Sequence, residues 1–312
     1  INGDFYNRND AKISVFDSGF LLGDGVWESF RLHNSHLCFI NQHINRLYDG
    51  ASSIDIKIPL TKKQLLNTIE KTIEKNNMYS DVHIRVIVSR GLKKTPYQHP
   101  NVNIGKCSVV IIPEYKQPIQ RIINKGITLA TVNIRRGTEN SQDPKLNTLS
   151  KFNCIAACIE ADNAGADEGI MLDINGNVST CNSTNFFIVK NKEVWTSTGR
   201  YCLPGITRKI VIDLCKQNNI PILLKNFTIT NGNNSGIYVL GESSPSLKNL
   251  LIVGNTTSNP NAGGGGIYCW QASPAITNVT ITNNTDVNNK IDTNRYLNSY
   301  NRILSKIFKN LL

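Results

Sequence analysis

The chain has 312 residues, of which 40% are apolar and 18% are charged, and its formal net charge at pH 7 is +11. A chain of this length and composition can bury a full core and is expected to form about two domains. Its Lys and Arg residues are scattered rather than grouped in blocks or interleaved with aromatic residues, so we expect no nucleic acid partner. Affinity for anionic small molecules, or simply a biased composition, explains the charge.

A mixed pattern of helices and strands runs from the N-terminus to about residue 230. A turn rich in Gly and Asp begins at Asp17 and leads into an apolar strand around Val26–Phe30. Apolar residues recur at helical spacing over Thr61–Asn77 and His43–Ile54, which predicts two amphipathic helices. Further strands are predicted at 37–40, 83–89, 108–112, 127–134, 169–172, 185–189 and 193–196, and further helices at 152–161 and 208–214.

Beyond this region the chain contains an internal repeat of short β-branched strands separated by Gly, Asn, Ser and Pro. Gly236-Ile-Tyr238 recurs as Gly266-Ile-Tyr268, and Asn249–Asn255 recurs as Asn278–Asn284. Such a repeat predicts stacked parallel coils, and the segment resembles the right-handed parallel β-helix repeats of secreted or surface proteins. The tail at 286–312 has apolar residues at helical spacing and a basic polar face, which predicts a docking helix, with a membrane-surface helix as the alternative.

The cysteines and the apolar segments point to a cytoplasmic protein. The eight cysteines form no CxxC pair and show no metal-type spacing, so we expect buried, reduced thiols and no metal site. No apolar run is long enough to span a membrane and no signal peptide is visible, so we expect no membrane partner.

Two polar turns, each joined to an apolar element, carry the functional information. Ser179–Phe187 reads STCNSTNFF and supplies hydroxyls and amides ahead of a strand. Leu203–Arg208 reads LPGITR and begins a helix, so its backbone N–H groups and the Thr207 hydroxyl are suited to hold a phosphate. The pair resembles the pyridoxal-phosphate (PLP) enzymes of fold type IV, which include branched-chain and D-amino-acid aminotransferases and aminodeoxychorismate lyase.

This resemblance extends over roughly residues 2–230 and implies a two-domain α+β fold. A small α/β domain is expected at 1–117, and a larger, β-rich PLP-binding domain, incomplete at its C-terminal end, at 118–230. Parallel β-helix-like repeats at 231–285 and the basic amphipathic tail helix at 286–312 stand where the family continues with further strands. Family members are dimers, so the resemblance also implies a homodimer.

The resemblance assigns candidate residues to the cofactor, pyridoxal 5'-phosphate. His43-x-x-Arg46-Leu matches a family helix whose Arg binds the cofactor phosphate as a bidentate, permanently charged donor. Gly205, Ile206 and Thr207 match the phosphate turn. Asn185 is expected beside the cofactor, and Thr180 stands where most members place a Glu against the pyridine nitrogen.

Three residues are candidates for binding the substrate. Arg85, in HIRVI, matches the strand whose Arg faces the substrate in branched-chain enzymes, although an inward Arg paired to a carboxylate would fit the pattern equally well. Leu22 stands where many branched-chain enzymes carry a Tyr. Glu28 ends the first motif, which the resemblance places at the mouth of the active site.

PLP chemistry needs a lysine that forms a Schiff base with the cofactor and then moves the substrate Cα proton. Lys145 resembles the lysine of the K-x-x-N-x-L pattern of the family with one residue deleted. Lys151, in SKFNC followed by ACIEA, resembles a subgroup that shares CNSTNFF. We favour Lys151 and keep Lys145 as the alternative.

The resemblance thus implies transamination between an amino acid and a 2-oxo acid, with branched-chain amino acids favoured. A PLP lyase of the aminodeoxychorismate type is the alternative enzyme. A third hypothesis is a catalytically inactive hybrid in which the β-helix repeats form a structural or surface-binding module.

Overall fold

The structure is a computed structural model that describes residues 1–229 and, beyond them, the backbone of six strands. The chain divides into two units. The first comprises Ile1–Pro118, Asp143–Asn153 and Leu203–Thr207. The second comprises Ile119–Gln142, Cys154–Cys202 and the described residues from Arg208 onward. The first unit therefore includes two short later segments, one with both candidate lysines and one with the candidate phosphate turn.

A four-stranded antiparallel sheet forms the centre of the first unit. In spatial order its strands are β2 (His36–Leu37), β1 (Gly25–His33), β3 (Val82–Ser89) and β6 (Ser108–Tyr115). Burial alternates along much of β1 and β3, so one face of the sheet packs into an apolar core with helices α2 (Ile40–Ser53) and α3 (Lys62–Lys75). The core includes Val26, Phe30, Leu47, Leu65, Ile69, Ile84 and Val86.

The two long helices of the first unit confirm the helical patterns read from the sequence. α3 begins with a capping box, in which Thr61 Oγ1 accepts from the Gln64 amide and Gln64 Oε1 accepts from the Thr61 amide. The strand predicted at 37–40 is wrong beyond Leu37, because Phe39 has a positive φ of 54° and α2 begins directly after it.

The Gly-rich turn before β1 contains a short helix, α1 (Ser18–Leu22). The buried Asp17 caps it by accepting from the Gly19 amide at 2.8 Å, and its other oxygen accepts from the Ser89 and Ser108 hydroxyls. At Gly25 a Cβ atom would lie 2.4 Å from the Val88 carbonyl oxygen, so only glycine allows β1 to begin here. Two short strands, β4 (Leu92–Lys93) and β5 (Asn103–Ile104), and a 3-10 turn at Pro100–Val102 complete the unit.

The second unit contains two three-stranded sheets. In the first, β7 (Leu129–Thr131) runs parallel to β8 (Glu168–Leu172), which pairs antiparallel with β9 (Val178–Cys181). In the second, β10 (Phe187–Lys190) and β11 (Glu193–Thr196) pair antiparallel, and β12 (Ile222–Leu224) runs parallel to β11. Its helices are α4 (Gln120–Lys125) and most of α5 (Phe152–Asn163) and α6 (Ile206–Gln217), whose first two residues belong to the first unit. The strand predicted at 127–134 is shorter than expected.

The later strands pair in parallel. β13 (Ile237–Leu240) pairs with β16 (Ile267–Trp270), β14 (Ser246–Val253) with β17 (Ala275–Thr282), and β15 (Thr256–Thr257) with β18 (Thr285–Asp286). Equivalent positions of the sequence repeat are in register, since Tyr238 pairs with Tyr268. The segments between these strands and the predicted tail helix beyond residue 286 lie outside the described residues.

Candidate active site

A buried carboxylate lies at the centre of the candidate site in the first unit. Glu28, on β1, is 1% exposed, and its Oε2 atom accepts from His43 Nδ1 at 2.7 Å. Arg46 donates from Nε to Oε1 at 2.6 Å and from Nη2 to Oε2 at 2.8 Å, which makes a two-bond ion pair. His43 and Arg46 reach the same carboxylate because residues three apart lie on one face of α2.

The two partners of Glu28 determine its charge. Burial alone would raise the pKa of Glu28, because a buried carboxylate loses its hydration. The hydrogen bonds and charges of His43 and Arg46 outweigh this effect, so the pKa of Glu28 lies below its ordinary value. Glu28 is therefore ionised near neutral pH and holds the Arg46 guanidinium in one orientation.

Arg46 also joins α2 to the turn that precedes α6. Its Nη1 atom donates to the backbone oxygen of Pro204 at 2.8 Å. The turn continues through Gly205 into α6, which begins with Ile206 and Thr207. The first four N–H groups of an α-helix have no partner within the helix and carry partial positive charge. The Arg46 guanidinium thus lies beside the turn that leads to these donors, and both are groups that can bind a phosphate. The phosphate roles of Arg46, Gly205, Ile206 and Thr207 stay predictions.

Lys151 is joined to β1 through a buried amide. Its Nζ atom donates to Asn147 Oδ1 at 3.0 Å and lies 5.5 Å from the centroid of the Trp27 ring. Asn147 donates from Nδ2 to the backbone oxygen of Trp27 at 2.7 Å, and the same nitrogen lies 3.5 Å from Glu28 Oε1. One amide therefore stands between the Lys151 amine and the Glu28 carboxylate.

The alternative lysine, Lys145, lies in the same segment of the first unit and is half-buried. Its backbone N–H donates to Asp143 Oδ1 at 2.9 Å, which is an Asx-type turn. Lys151 contacts Asn147, and Asn147 in turn contacts Glu28. Which of the two lysines holds a cofactor stays a prediction.

The three residues predicted to bind substrate also lie in the first unit. The Arg85 guanidinium carbon lies 4.4 Å from the centroid of the Trp27 ring, so this side chain shares the ring with the Lys151 amine. Leu22 is exposed at the end of α1. Both oxygens of Glu28 are occupied by hydrogen bonds from α2. The substrate roles of these residues stay predictions.

The other two predicted cofactor residues lie in the second unit. Thr180, on β9, is buried, and its hydroxyl donates to the backbone oxygen of Thr184 at 2.7 Å. Asn185 donates from Nδ2 to the Cys202 sulfur at 3.7 Å. Both side chains thus contribute to the shape of the STCNSTNFF turn, and their cofactor roles stay predictions.

A second buried carboxylate, Glu168, organises this turn. It is 6% exposed, and its Oε1 atom accepts from the Ser183 amide at 3.0 Å, the Ser183 hydroxyl at 2.7 Å and the Thr184 hydroxyl at 3.0 Å. The neighbouring Gly169 amide donates to Asn182 Oδ1 at 2.6 Å. β8 therefore fixes the turn through uncharged donors.

The family follows from comparison with known proteins. The model of the amino-transferase class IV family matches residues 25–241, which is more than half of the chain and extends beyond residue 230. The chain belongs to this family. Class IV aminotransferases are PLP enzymes.

Two relatives of this chain carry branched-chain names. Branched-chain-amino-acid aminotransferase-like protein 2 of Arabidopsis thaliana is 38% identical over 212 residues, which are 68% of this chain and 38% of the plant protein. The putative branched-chain-amino-acid aminotransferase of Methanocaldococcus jannaschii is 36% identical over 231 residues, 73% of this chain and 78% of that protein. This chain thus spans less than half the length of the plant relative.

A solved structure shares the mixed α/β fold of this class IV chain. The branched-chain aminotransferase of the thermophilic archaeon Thermoproteus uzoniensis, solved with norvaline, superposes with a TM-score of 0.66 at 27% identity. The superposition covers 73% of this chain and 77% of that one. Among the residues described here, no three His, Cys, Asp or Glu side chains group as a metal site, and no helix is long and apolar enough to cross a membrane.

Sequence reasoning missed three members of the site. His43 was part of a motif but received no role, and Asn147 and Trp27 were not singled out. A signal existed for His43, which precedes Arg46 by one helical turn, but not for Asn147, because the segment from Asn147 to Lys151 is irregular. Trp27 could not be found in this way, because its contact with Lys151 spans more than a hundred residues of sequence.

Proposed function

We propose that this chain transfers the amino group of an amino acid to a 2-oxo acid, with pyridoxal 5'-phosphate as its cofactor. One observation carries the proposal: within a single unit, Glu28 and Asn147 join Lys151 to Arg46 and the turn that begins α6. An amine nucleophile and groups that bind a phosphate are the two anchors that this cofactor needs. The names of the relatives favour branched-chain amino acids as substrates.

Each residue then has a distinct task. Arg46 and the amides of Ile206 and Thr207 bind the phosphate, with Gly205 allowing its close approach. The Lys151 amine would hold the cofactor and would take the proton from the substrate Cα. The cofactor supplies an electron sink and carries the amino group between the two substrates. Both oxygens of Glu28 accept hydrogen bonds from α2 residues, so we propose that Glu28 orients Arg46, in place of the substrate contact that the resemblance implies.

Four further residues complete the proposed site. Arg85, with its guanidinium over the Trp27 ring, and Leu22 contact the substrate, and Arg85 is the positive charge available for a substrate carboxylate. Thr180 and Asn185, in the STCNSTNFF turn, would be the cofactor-binding residues of the second unit. The Thr180 hydroxyl already donates to the Thr184 backbone oxygen, so it would act toward the cofactor only as a hydrogen-bond acceptor.

The test is a transamination assay on the full chain, reconstituted with PLP. With leucine, isoleucine or valine as donor and 2-oxoglutarate as acceptor, we expect formation of glutamate and the branched 2-oxo acid. Lys151→Ala should lower the rate by at least about 10³-fold, the scale of a lost proton-transfer group. Lys145→Ala is the matched control and should stay within about twofold of wild type. Loss of rate in Lys145→Ala alone would transfer the role to Lys145.

Two further measurements test the alternatives: pyruvate release from aminodeoxychorismate, and absorbance after addition of PLP. A lyase of the aminodeoxychorismate type would release pyruvate from aminodeoxychorismate without a second substrate. An inactive hybrid would show neither reaction and no absorbance of lysine-bound cofactor after addition of PLP. Either result would overturn the transaminase proposal.

We also propose that the repeats at 231–285 form a short parallel β-helix-like segment, following a small domain at 1–117 and a PLP-binding domain at 118–230. The parallel, in-register pairing of β14 with β17 supports this, since stacked coils place equivalent residues side by side. A tail helix at 286–312 would complete the chain. Limited proteolysis with mass spectrometry would reveal these limits as protected fragments.

The surroundings of the protein are part of the proposal. We propose a homodimer that works in the cytoplasm without nucleic acid or membrane partners. The seven cysteines between residues 38 and 215 are free, which supports a reducing compartment. Light scattering of the purified full chain would measure the oligomeric state, and a monomer would contradict the dimer.

A further inference from the structure

We propose that Asn147 is a positioning residue, which holds the Lys151 amine beside Trp27 and keeps it apart from the Glu28 carboxylate. The inference rests on the proposed role of Lys151 and goes beyond it, because it assigns the orientation of that amine to another side chain. It depends on three features of the first unit, namely the orientation of the amide, its attachment to β1 and the surrounding charges.

The neighbours of Asn147 determine which way its amide points. The backbone oxygen of Trp27 can only accept, so the atom 2.7 Å from it is the amide nitrogen. The amide oxygen therefore faces the Lys151 ammonium at 3.0 Å, and that group can only donate. Both bonds require the same orientation, and Asn147 is 7% exposed, so little water competes for either atom.

The backbone of Asn147 is held to β1 as if it belonged to a further strand. The Trp27 amide donates to the Asn147 backbone oxygen at 3.0 Å, and the Leu149 amide donates to the Gly25 backbone oxygen at 2.9 Å. Trp27 Nε1 also donates to the Thr148 backbone oxygen at 3.2 Å. Asn147 thus bonds both backbone groups of Trp27, one through its main chain and one through its side chain, which leaves its amide little freedom to turn.

The charges around Lys151 explain why the side chain between Lys151 and Glu28 is the neutral Asn147. Glu28 Oε1 lies 3.5 Å from the Asn147 nitrogen, and the Arg85 guanidinium shares the Trp27 ring with the Lys151 amine. A direct ion pair with Glu28 would hold Lys151 in its charged form and unable to act as a nucleophile. The neutral amide instead gives the amine an acceptor without adding charge.

The experiment measures how fast trace acetic anhydride labels each lysine of the cofactor-free full chain as pH is varied, with mass spectrometry as the readout. Only an unprotonated amine reacts, so the rate reports how firmly the ammonium is held. Asn147→Ala should raise the Lys151 rate about fivefold and move its profile to lower pH, since one hydrogen bond to a charged group is lost. Asn147→Asp should lower it about tenfold and move the profile to higher pH.

The control is a second Lys–Asn pair of the first unit. Lys62 Nζ donates to Asn45 Oδ1 at 2.7 Å on the exposed surface, so Asn45→Ala should leave the Lys151 profile unchanged. Opposite shifts in the two Asn147 variants cannot arise from general loosening of the fold. If Asn147→Ala does not fold, the isosteric Asn147→Asp still tests the proposal, because its Lys151 labelling profile should move to higher pH.

Two results separate this inference from the proposed function. Identical Lys151 profiles in wild type and both Asn147 variants would overturn the positioning role, even if Lys151 binds the cofactor. Absence of any borohydride-fixed cofactor on wild-type Lys151 would overturn the proposed function. In that case the labelling profiles would still measure how strongly Asn147 stabilises the Lys151 ammonium.

Discussion

Two buried carboxylates, one in each unit, are stabilised in different ways. Glu28 accepts hydrogen bonds from Arg46 and from a histidine, both on one helix. Glu168 accepts from a backbone amide and from the hydroxyls of Ser183 and Thr184. The first carboxylate is paired with a charged donor, Arg46, whereas the second is hydrogen-bonded by neutral donors.

The difference shows what each carboxylate does. A charged pair orients the partner cation, so Glu28 prepares Arg46 to meet an anion at the start of α6. Neutral donors come from a turn, so Glu168 fixes the shape of the STCNSTNFF segment. Neutralising Glu28 leaves the Arg46 cation unpaired, so it should lower the free energy of unfolding more than neutralising Glu168, whose partners are uncharged. Glu28→Gln and Glu168→Gln test this ranking.

Glu28→Gln should have the largest effect on stability. This substitution leaves the largely buried Arg46 guanidinium with a neutral partner. We therefore expect the free energy of unfolding to fall by about 3 kcal/mol, the low end for breaking a buried ion pair. Urea denaturation of the full chain measures the change. Glu114→Gln, at an exposed position of β6, is the control and should stay within about 0.5 kcal/mol. Equal effects would refute the ranking.

The contribution of Glu28 should also disappear in acid. Its pKa lies below the ordinary value of 4.5, so the folded state binds this proton less readily than the unfolded state does. The stability advantage of wild type over Glu28→Gln should therefore be complete above pH 4.5 and shrink as pH falls through the lowered pKa. Denaturation series at several pH values give the difference, and an advantage that grows in acid would contradict the assignment.

Glu168→Gln should cost less than Glu28→Gln. An amide retains one acceptor oxygen for the Ser183 and Thr184 donors, so we expect a loss of about 1–2 kcal/mol. The same urea titration measures it. A loss as large as that of Glu28→Gln would show that neutral donors stabilise a buried carboxylate as strongly as a cation does.

The smallest expected effect concerns the reactivity of Cys181. Burial, with a smaller contribution from the Glu168 charge, raises the pKa of this thiol to about 12. At pH 8 Cys181 should therefore resist iodoacetamide in the native protein, while the exposed Cys158 is alkylated. Mass spectrometry distinguishes the two cysteines. Alkylation of both at similar rates would show that the β9 environment is more open than described.

Much of the first unit could be predicted from the sequence because its signals are local. The apolar periodicity over Thr61–Asn77 predicted α3, and the capping box that begins this helix lies within four residues. The H-x-x-R spacing placed His43 and Arg46 on one helical face, which their shared contact with Glu28 confirms.

Other features could not be predicted, because they depend on contacts between distant segments. The bond from Asn147 to Trp27 and the approach of Lys151 to the same ring join β1 to a segment more than a hundred residues away. The Glu168 contacts depend on the conformation of the turn that carries Ser183, which residue types alone do not define. For the same reason the sequence left Lys145 and Lys151 as alternatives.

The central claim is that Lys151 attaches the cofactor, and peptide mapping tests it most directly. The full chain is incubated with PLP, reduced with borohydride and digested, and the modified peptide is identified by mass spectrometry. We predict one stoichiometric adduct on Lys151, no adduct on Lys145, and loss of the adduct in Lys151→Ala. An adduct on Lys145, or no adduct on either lysine, would contradict the account.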